Sequence, residues 1–92
     1  MIKTFRHRGL DTFFRTGSKA GINPHHAVRL KVQLSALNNA VGPNSMALPN
    51  WKLHSLHGEF AGRWSVWVDG NWRLTFAFDG ADTVQVDYED YH

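Results

Sequence analysis

The residues best suited to chemistry are His54, Arg73 and the run Asp90-Tyr91-His92. An Arg guanidinium matches phosphate oxygens bidentately and remains charged, and a His imidazole exchanges protons near neutral pH. RNA carries its own nucleophile, the 2′-OH. A protein that cuts it must remove that proton, stabilise the charged phosphorane and protonate the leaving 5′-oxygen. These residue types therefore suit metal-free RNA cleavage.

Two of the three catalytic roles can be assigned to particular residues, and the third stays open. Arg73 suits stabilisation of the phosphorane. His92 is predicted to be the general acid, because a nearby terminal carboxylate favours the imidazolium, and Asp90 could orient it. The alternative is that Tyr88 and Tyr91 are packing residues and that His92 is a frayed end. The general base stays open, with three candidates: His54, Tyr91 and Asp90.

Several other chemistries are excluded or disfavoured. The chain has no Cys, so it has no thiol nucleophile, disulfide or Cys-based metal site. It also lacks a G-x-S-x-G elbow and a phosphate-cradling Gly loop. The six His residues form no recognised metal pattern, and His54 and His57 would project from opposite faces of a strand. We expect neither a catalytic metal nor a cofactor.

The first half of the chain has helical periodicity. Leu10, Phe13 and Phe14 recur on one helical face, and Gly17 is a plausible stop. A second helix is predicted from Asn23-Pro24, which combines an N-cap residue with a proline suited to the first turn. Its apolar stripe is Ala27, Leu30, Leu34, Leu37 and Val41, whereas Val28 and Val32 lie off this stripe and are expected to touch a second neighbour.

The second half alternates with period two, which is typical of strands with one buried face. The alternating runs are 64–68, 72–78 and 83–88, and "WKLHSL" (51–56) is a shorter strand before them. Asp69-Gly70 and Asp79-Gly80 are turn signals between the runs. The sequence predicts an α+β fold in which two N-terminal helices pack on one face of an antiparallel sheet.

The opposite face of this sheet is the expected place for function. It carries polar side chains on several strands, which are Lys52, His54, Ser65, Arg73, Thr75, Gln85 and Asp87. If the last two long strands pair through the 79–82 turn, the run Asp90-Tyr91-His92 lies near Arg73. We expect three further residues to bind RNA: Lys52, His57 and Arg63.

Size and charge are consistent with an RNA partner. The 92 residues form one predicted domain, 1–92. Residues 1–63 carry nine Lys and Arg against two acids, whereas residues 64–92 carry one Arg against six acids. A basic body suits a polyanion, although a solvated basic face without a partner is equally compatible. No secretory signal or membrane span is evident, so a soluble cytoplasmic protein is expected.

The motifs together resemble those of a known family. "LHSLHGEFAGRWSVWVDGNWRLTFAF", followed by "VDYEDYH", resembles the HigB-type toxins of bacterial toxin–antitoxin pairs, within the RelE-like superfamily of ribosome-dependent mRNA interferases. The resemblance spans essentially the whole chain. It implies a microbial-RNase-like fold and cleavage of mRNA in the A site of the 70S ribosome, with 16S rRNA contacts through the basic body. By matching position it assigns function to His54, Arg73, Asp90, Tyr91 and His92.

The resemblance also implies a partner and shows one departure. The partner is a cognate helix-turn-helix antitoxin, which would form a hetero-oligomer with the toxin and block it. The departure is His57, where relatives often carry Lys, so a phosphate-gripping ammonium becomes a titratable imidazole. Trp67 is also bulky for an open face and could stack a base or pack on a neighbour. The alternative function is a non-catalytic RNA- or ribosome-binding module, or an inactive toxin relic, on the same fold.

Overall fold

The protein is described here from a computed structural model of residues 1–91, and the predicted acid His92 lies outside the described residues. Two helices precede four strands. The helices are α1 (Arg8–Thr16) and α2 (Ala27–Asn39), and the strands are β1 (His54–Ser55), β2 (Arg63–Asp69), β3 (Trp72–Asp79) and β4 (Asp82–Asp90). Single 3₁₀ turns lie at Pro24–His26, Pro43–Met46 and Gly58–Phe60.

Local signals explain where α1 begins and ends. The imidazole Nδ1 of His7 accepts a hydrogen bond from the backbone N–H of Leu10 at 2.9 Å, which satisfies one of the unpaired donors of the first turn. Gly17 ends the helix in the left-handed region, at φ 81°, and its N–H donates to the carbonyl of Phe13. The predicted stop at Gly17 is confirmed.

The second helix begins nearly as predicted but ends earlier. Asn23 caps the 3₁₀ turn that runs directly into α2. The stripe is buried through Leu37, but Val41 is 74% exposed because α2 ends at Asn39 and a loop follows. Its predicted place in the core was wrong. Val28 and Val32 are 80% and 54% exposed, so the expected second neighbour is not present within residues 1–91.

The strands form one antiparallel sheet in the order β1-β2-β3-β4. Both helices bury their apolar stripes against one face of it, which confirms the predicted α+β arrangement. The predicted first strand is much shorter than expected, since only His54–Ser55 pair with β2. The fully buried side chains of the core include Leu10, Leu30, Leu34, Leu37, Val66, Leu74, Phe76 and Val86.

A β-bulge at Gln85 changes the alternation of β4. Thr75 pairs with Asp87 but Ala77 pairs with Val84, so β4 has one extra residue in between. Gln85 takes a left-handed φ of 55°, which a non-glycine residue rarely adopts. The bulge places Thr83 in the core and Val84 on the opposite face. Strict alternation over residues 83–88 predicts that Val84 shares the buried face with Val86 and Tyr88, and this prediction was wrong.

The N-terminal segment covers the outer edge of β4. Ile2 and Phe5 form parallel bridges with Thr83 and Val86, and backbone hydrogen bonds tie residues 1–6 to residues 83–86. This segment closes an edge that would otherwise expose unpaired backbone groups. β4 thus lies between β3 and the first residues of the chain.

The start of α1 approaches the segment before α2 so closely that a side chain would not fit. A Cβ added to Gly9 would lie 2.3 Å from the carbonyl oxygen of Gly21. This contact fixes the α1–α2 connection against the first turn of α1. Within residues 1–91, no helix is long and apolar enough to cross a membrane.

Candidate active site

Two rows of side chains cross the open face of the sheet, which is the face opposite the helices. The cross-strand register places Trp67, Arg73 and Glu89 side by side, and we call them the Arg73 row. The His54 row consists of His54, Ser65, Thr75 and Asp87. The rows are two residues apart along each strand, which is about 7 Å. The structure therefore brings His54 and Arg73 to one face, as predicted.

This face is less open than the sequence predicts. Thr75 is fully buried and Ser65 is 4% exposed. Thr75 is covered because its hydroxyl accepts a hydrogen bond from the Arg63 guanidinium and donates one to the Glu89 carboxylate. The long side chains at the two ends of this chain of hydrogen bonds close over it. The open face thus carries long polar side chains above the short, buried hydroxyl side chains of Ser65 and Thr75.

Arg73 is anchored by backbone carbonyls. Its Nη1 donates to the carbonyl oxygens of Gly70 and Trp72, both at 3.1 Å. Among residues 1–91 it makes no ion pair within 4 Å, although Glu89 lies opposite it in the register. The β2–β3 turn therefore orients the guanidinium while its positive charge stays without a direct carboxylate contact.

Glu89 is a site residue that the sequence analysis missed. Its Oε2 accepts hydrogen bonds from the hydroxyl of Thr75 at 3.2 Å and from the phenol of Tyr91 at 3.3 Å. The alternation that places Asp87 on the open face, extended by two and four residues, would have identified both Glu89 and Tyr91 as neighbours on that face.

Tyr91 is set up to remain protonated. Burial raises the pKa of its phenol, and the adjacent Glu89 charge and hydrogen bond raise it further, against the opposing effect of Arg63 and Arg73. The ring is nevertheless 38% exposed, so the phenol can reach a bound molecule. A phenol that stays protonated can donate a hydrogen bond but is not available to abstract a proton.

The last described residues, Asp90 and Tyr91, lie beside the β2–β3 turn. Asp90 pairs with Trp72, and the backbone N–H of Tyr91 donates to the carbonyl of Asn71 at 2.8 Å. For these two residues the predicted proximity to Arg73 is confirmed. The register sends the side chain of Asp90 to the face of the sheet opposite that of Arg73 and Glu89. Its predicted partner His92 is outside the described residues.

The predicted RNA-binding residues have different environments. Lys52 is exposed and its ammonium lies 4.8 Å from the ring centroid of Trp67, whose other cationic neighbour is Arg29 at 5.4 Å. Trp67 thus packs against two cations. His57 is exposed and precedes the Gly58–Phe60 turn.

Arg63, the third of these residues, is only 8% exposed. Its guanidinium donates to the hydroxyl of Thr75 and to the side-chain and backbone oxygens of Gln85. Burial and then the nearby Arg6 lower its pKa, while Glu89 and Asp87 act in the opposite direction. Arg63 is therefore a structural centre of the open face as well as a source of positive charge.

A hydrogen-bonded group lies behind the Arg73 row and joins two buried residues, His26 and Tyr88, to the exposed Asp69. Nδ1 of His26, which is 4% exposed, meets the hydroxyl of Tyr88, and its Nε2 lies 3.3 Å from a carboxylate oxygen of Asp69. Trp72 stacks on Tyr88 with ring centroids 4.5 Å apart. Burial raises the pKa of the Tyr88 phenol, and Asp69 and Asp90 add to the effect, while a backbone hydrogen bond from Asn23 opposes it. This group ties the start of α2 to β4 and to the β2–β3 turn.

Metal-ligating side chains do not cluster in the described part of the chain. Residues 1–91 contain no group of three His, Cys, Asp or Glu side chains that could hold a metal ion. The polar groups on the open face are guanidinium, imidazole, phenol, hydroxyl and carboxylate groups.

The fold and this set of groups agree with a defined class of protein. Residues 3–92 match the HigB-like toxin family, described as the RelE-like toxin of the type II toxin–antitoxin system HigB, and the chain belongs to this family. Over 92 residues, all of both chains, it is 38% identical to the endoribonuclease HigB of Proteus vulgaris. Membership of a toxin–antitoxin family implies an antitoxin partner.

Proposed function

We propose that this protein is an endoribonuclease toxin that cuts mRNA in the ribosomal A site and thereby stops translation and growth, and that a cognate helix-turn-helix antitoxin neutralises it. The observation that supports this most is Arg73, a turn-anchored guanidinium that makes no ion pair with any carboxylate of residues 1–91, on the same face as His54 and the Glu89–Tyr91 pair. The likeness to a named endoribonuclease supports the same class of activity. The protein would act in the cytoplasm, where its substrate is translated.

The groups divide the reaction without a metal. Arg73 binds the non-bridging oxygens of the phosphate and stabilises the phosphorane. His54 is the preferred base for the 2′-OH, because the raised pKa of Tyr91 makes its phenol a hydrogen-bond donor. His92 is the proposed acid for the 5′-oxygen, and Asp90 its orienting partner.

The ribosome is the proposed source of alignment. His54 and Arg73 lie on strands two apart and in adjacent rows, so their backbones are roughly 12 Å apart, given strand spacings of about 4.8 Å. A flexible RNA must be held across both rows in an in-line geometry. Proximity and orientation of this kind contribute on the order of 7–11 kcal/mol to lowering a barrier. Lys52, His57 and the basic body would hold mRNA and 16S rRNA.

A non-catalytic RNA- or ribosome-binding module is the second candidate, and the basic body is what favours it. Such a module needs positive charge but has no need of an imidazole and a neutral phenol around an oriented guanidinium.

The test is cleavage of mRNA on purified, programmed 70S ribosomes, with the sites mapped by primer extension and the new ends analysed for 2′,3′-cyclic phosphate. We expect cuts in the A-site codon and inhibition by the co-expressed antitoxin. Cleavage should also persist in a chelator of transition metals that leaves the Mg²⁺ of the ribosome bound. Arrest of translation without new RNA ends would favour the binding module. Equal cleavage of free mRNA would contradict the dependence on the ribosome.

A further inference from the structure

A polar pocket of about 450 Å³ opens on the far side of the His54 row from Arg73. Its lining includes Arg6, Glu59, Phe60, Arg63 and Gln85. Arg63 is four residues before Trp67 along β2, so its backbone lies about 13 Å from the Arg73 row. Its guanidinium reaches Thr75 in the His54 row, and the pocket opens beyond that row, away from Arg73.

Two guanidinium groups share this pocket. Their charges are close enough for Arg6 to lower the pKa of Arg63, and neither residue makes an ion pair within 4 Å among residues 1–91. Glu59 also lines the pocket without pairing to either of them. Like charges held together without a carboxylate partner repel each other, and a bound anion relieves that repulsion.

The pocket also offers an aromatic surface. Phe60 ends the Gly58–Phe60 turn and is 48% exposed, although it is a large apolar side chain. Exposed aromatic rings beside cationic grooves stack nucleobases irrespective of sequence. Gln85, exposed at the bulge of β4, adds an amide group to the lining.

We propose that this pocket binds one unpaired RNA nucleotide away from the cut, with Arg6 and Arg63 holding its phosphate and Phe60 stacking on its base. The proposal rests on the proposed function in taking RNA as the ligand. The hydrogen-bond chain Arg63–Thr75–Glu89–Tyr91 connects the pocket to the Arg73 row, so occupancy and the position of the phenol are physically linked. The nucleotide belongs either to mRNA flanking the cut or to single-stranded 16S rRNA.

Binding is measured by NMR titration of the purified protein with a 2′-O-methylated RNA hexanucleotide, which cannot be cleaved because its nucleophile is blocked. We expect shifts in residues 58–63. Phe60→Ala should weaken binding at least fivefold, since a stacked base contributes about 1–3 kcal/mol. Arg6→Gln should weaken it and lower the salt slope by about 0.7, the effect of one lost phosphate contact on a single strand.

The matched control is Lys31→Gln, which removes one positive charge from an exposed position on α2 outside the pocket. Arg6 and Phe60 are exposed, so their variants are expected to fold, and the amide spectrum of each free protein checks this. The proposal is overturned if the two pocket variants bind no more weakly than the control. It is also overturned if inorganic phosphate reproduces the whole effect of the oligonucleotide, because the base then contributes nothing.

Cross-linking on the ribosome distinguishes the two sources of RNA. With 4-thiouridine in the mRNA or in 16S rRNA, a cross-link to residues 58–62 identifies the bound strand, and no cross-link from either strand overturns the proposal. Failure of the proposed nucleotide pocket can be distinguished from failure of the proposed endoribonuclease function. Arg73→Ala should abolish cleavage and retain the spectral shifts of residues 58–63 on titration with the hexanucleotide, whereas a protein that binds the hexanucleotide at this pocket but never cuts would refute only the catalytic assignment.

Discussion

Replacement of Arg73 by Ala separates catalysis from stability. The loss of one positioned donor to a charged transition state reduces a rate by about 10²–10³-fold. In the free protein, the same change removes two hydrogen bonds that a single Nη1 makes to carbonyls of the β2–β3 turn and its flank. Because one half-buried donor group makes both hydrogen bonds, together they contribute about 1 kcal/mol to the free energy of unfolding. The substitution should therefore inactivate a folded protein.

The stability loss can be checked by thermal melting. The entropy of unfolding is about 2.1 cal/mol/K per residue, or roughly 190 cal/mol/K for 92 residues. A loss of about 1 kcal/mol then lowers Tm by about 5 °C. Arg73→Lys keeps the charge but not the planar fork and should retain partial activity. Arg8→Ala, at an exposed position of α1, is the matched control and should change neither quantity much.

The assay is single-turnover cleavage on programmed ribosomes, with Tm measured on the same preparations. Wild-type cleavage by a folded Arg73→Ala protein would refute the catalytic role. A drop in Tm far beyond 5 °C would instead refute the conclusion that Arg73 contributes little to folding.

Three further outcomes are expected. Glu89→Gln should lower the pKa of Tyr91, followed by NMR of ¹³C-labelled Tyr rings, because a negative neighbour is lost; an unmoved pKa contradicts the pairing. Gly9→Ala should cost about 1–3 kcal/mol in urea denaturation because the added Cβ overlaps a backbone carbonyl, whereas Gly42→Ala, with open space around it, should cost much less. Stability should fall as pH rises above about 10, the pKa of an unfolded Tyr, since burial raises that of Tyr88; Tyr88→Phe should flatten this alkaline dependence.

The sequence predicted most of the fold because its elements carry strong local signals. The apolar stripe of α2, the alternation of β2 and β3 and the two Asp-Gly turns each follow from neighbouring residues alone. The bulge at Gln85 could not be predicted, because it depends on how β4 pairs with β3 and with the N-terminal segment at the same time. Val41 was placed in the core because periodicity alone does not show where a helix ends.

The candidate site was predictable in part for the same reason. Alternation placed His54 and Arg73 on one face, and the hairpin placed the end of the chain nearby. Alternation does not show that Arg63 is buried. A buried guanidinium requires hydrogen-bond acceptors from other strands, which here are Thr75 and Gln85. Only the cross-strand register shows that Glu89 lies opposite Arg73 on the neighbouring strand.

The position of β4 between β3 and residues 1–6 has a consequence for how the protein is made. A chain is synthesised from its N-terminus. Residues 1–6 pair with β4, which is the last of the described strands to be synthesised, so this pairing cannot form earlier. Until β4 emerges, β3 has an unpaired edge, the core lacks Val86 and Tyr88, and the Arg73 row lacks Glu89. A nascent chain therefore cannot assemble the proposed site before β4 has been synthesised and has paired with β3.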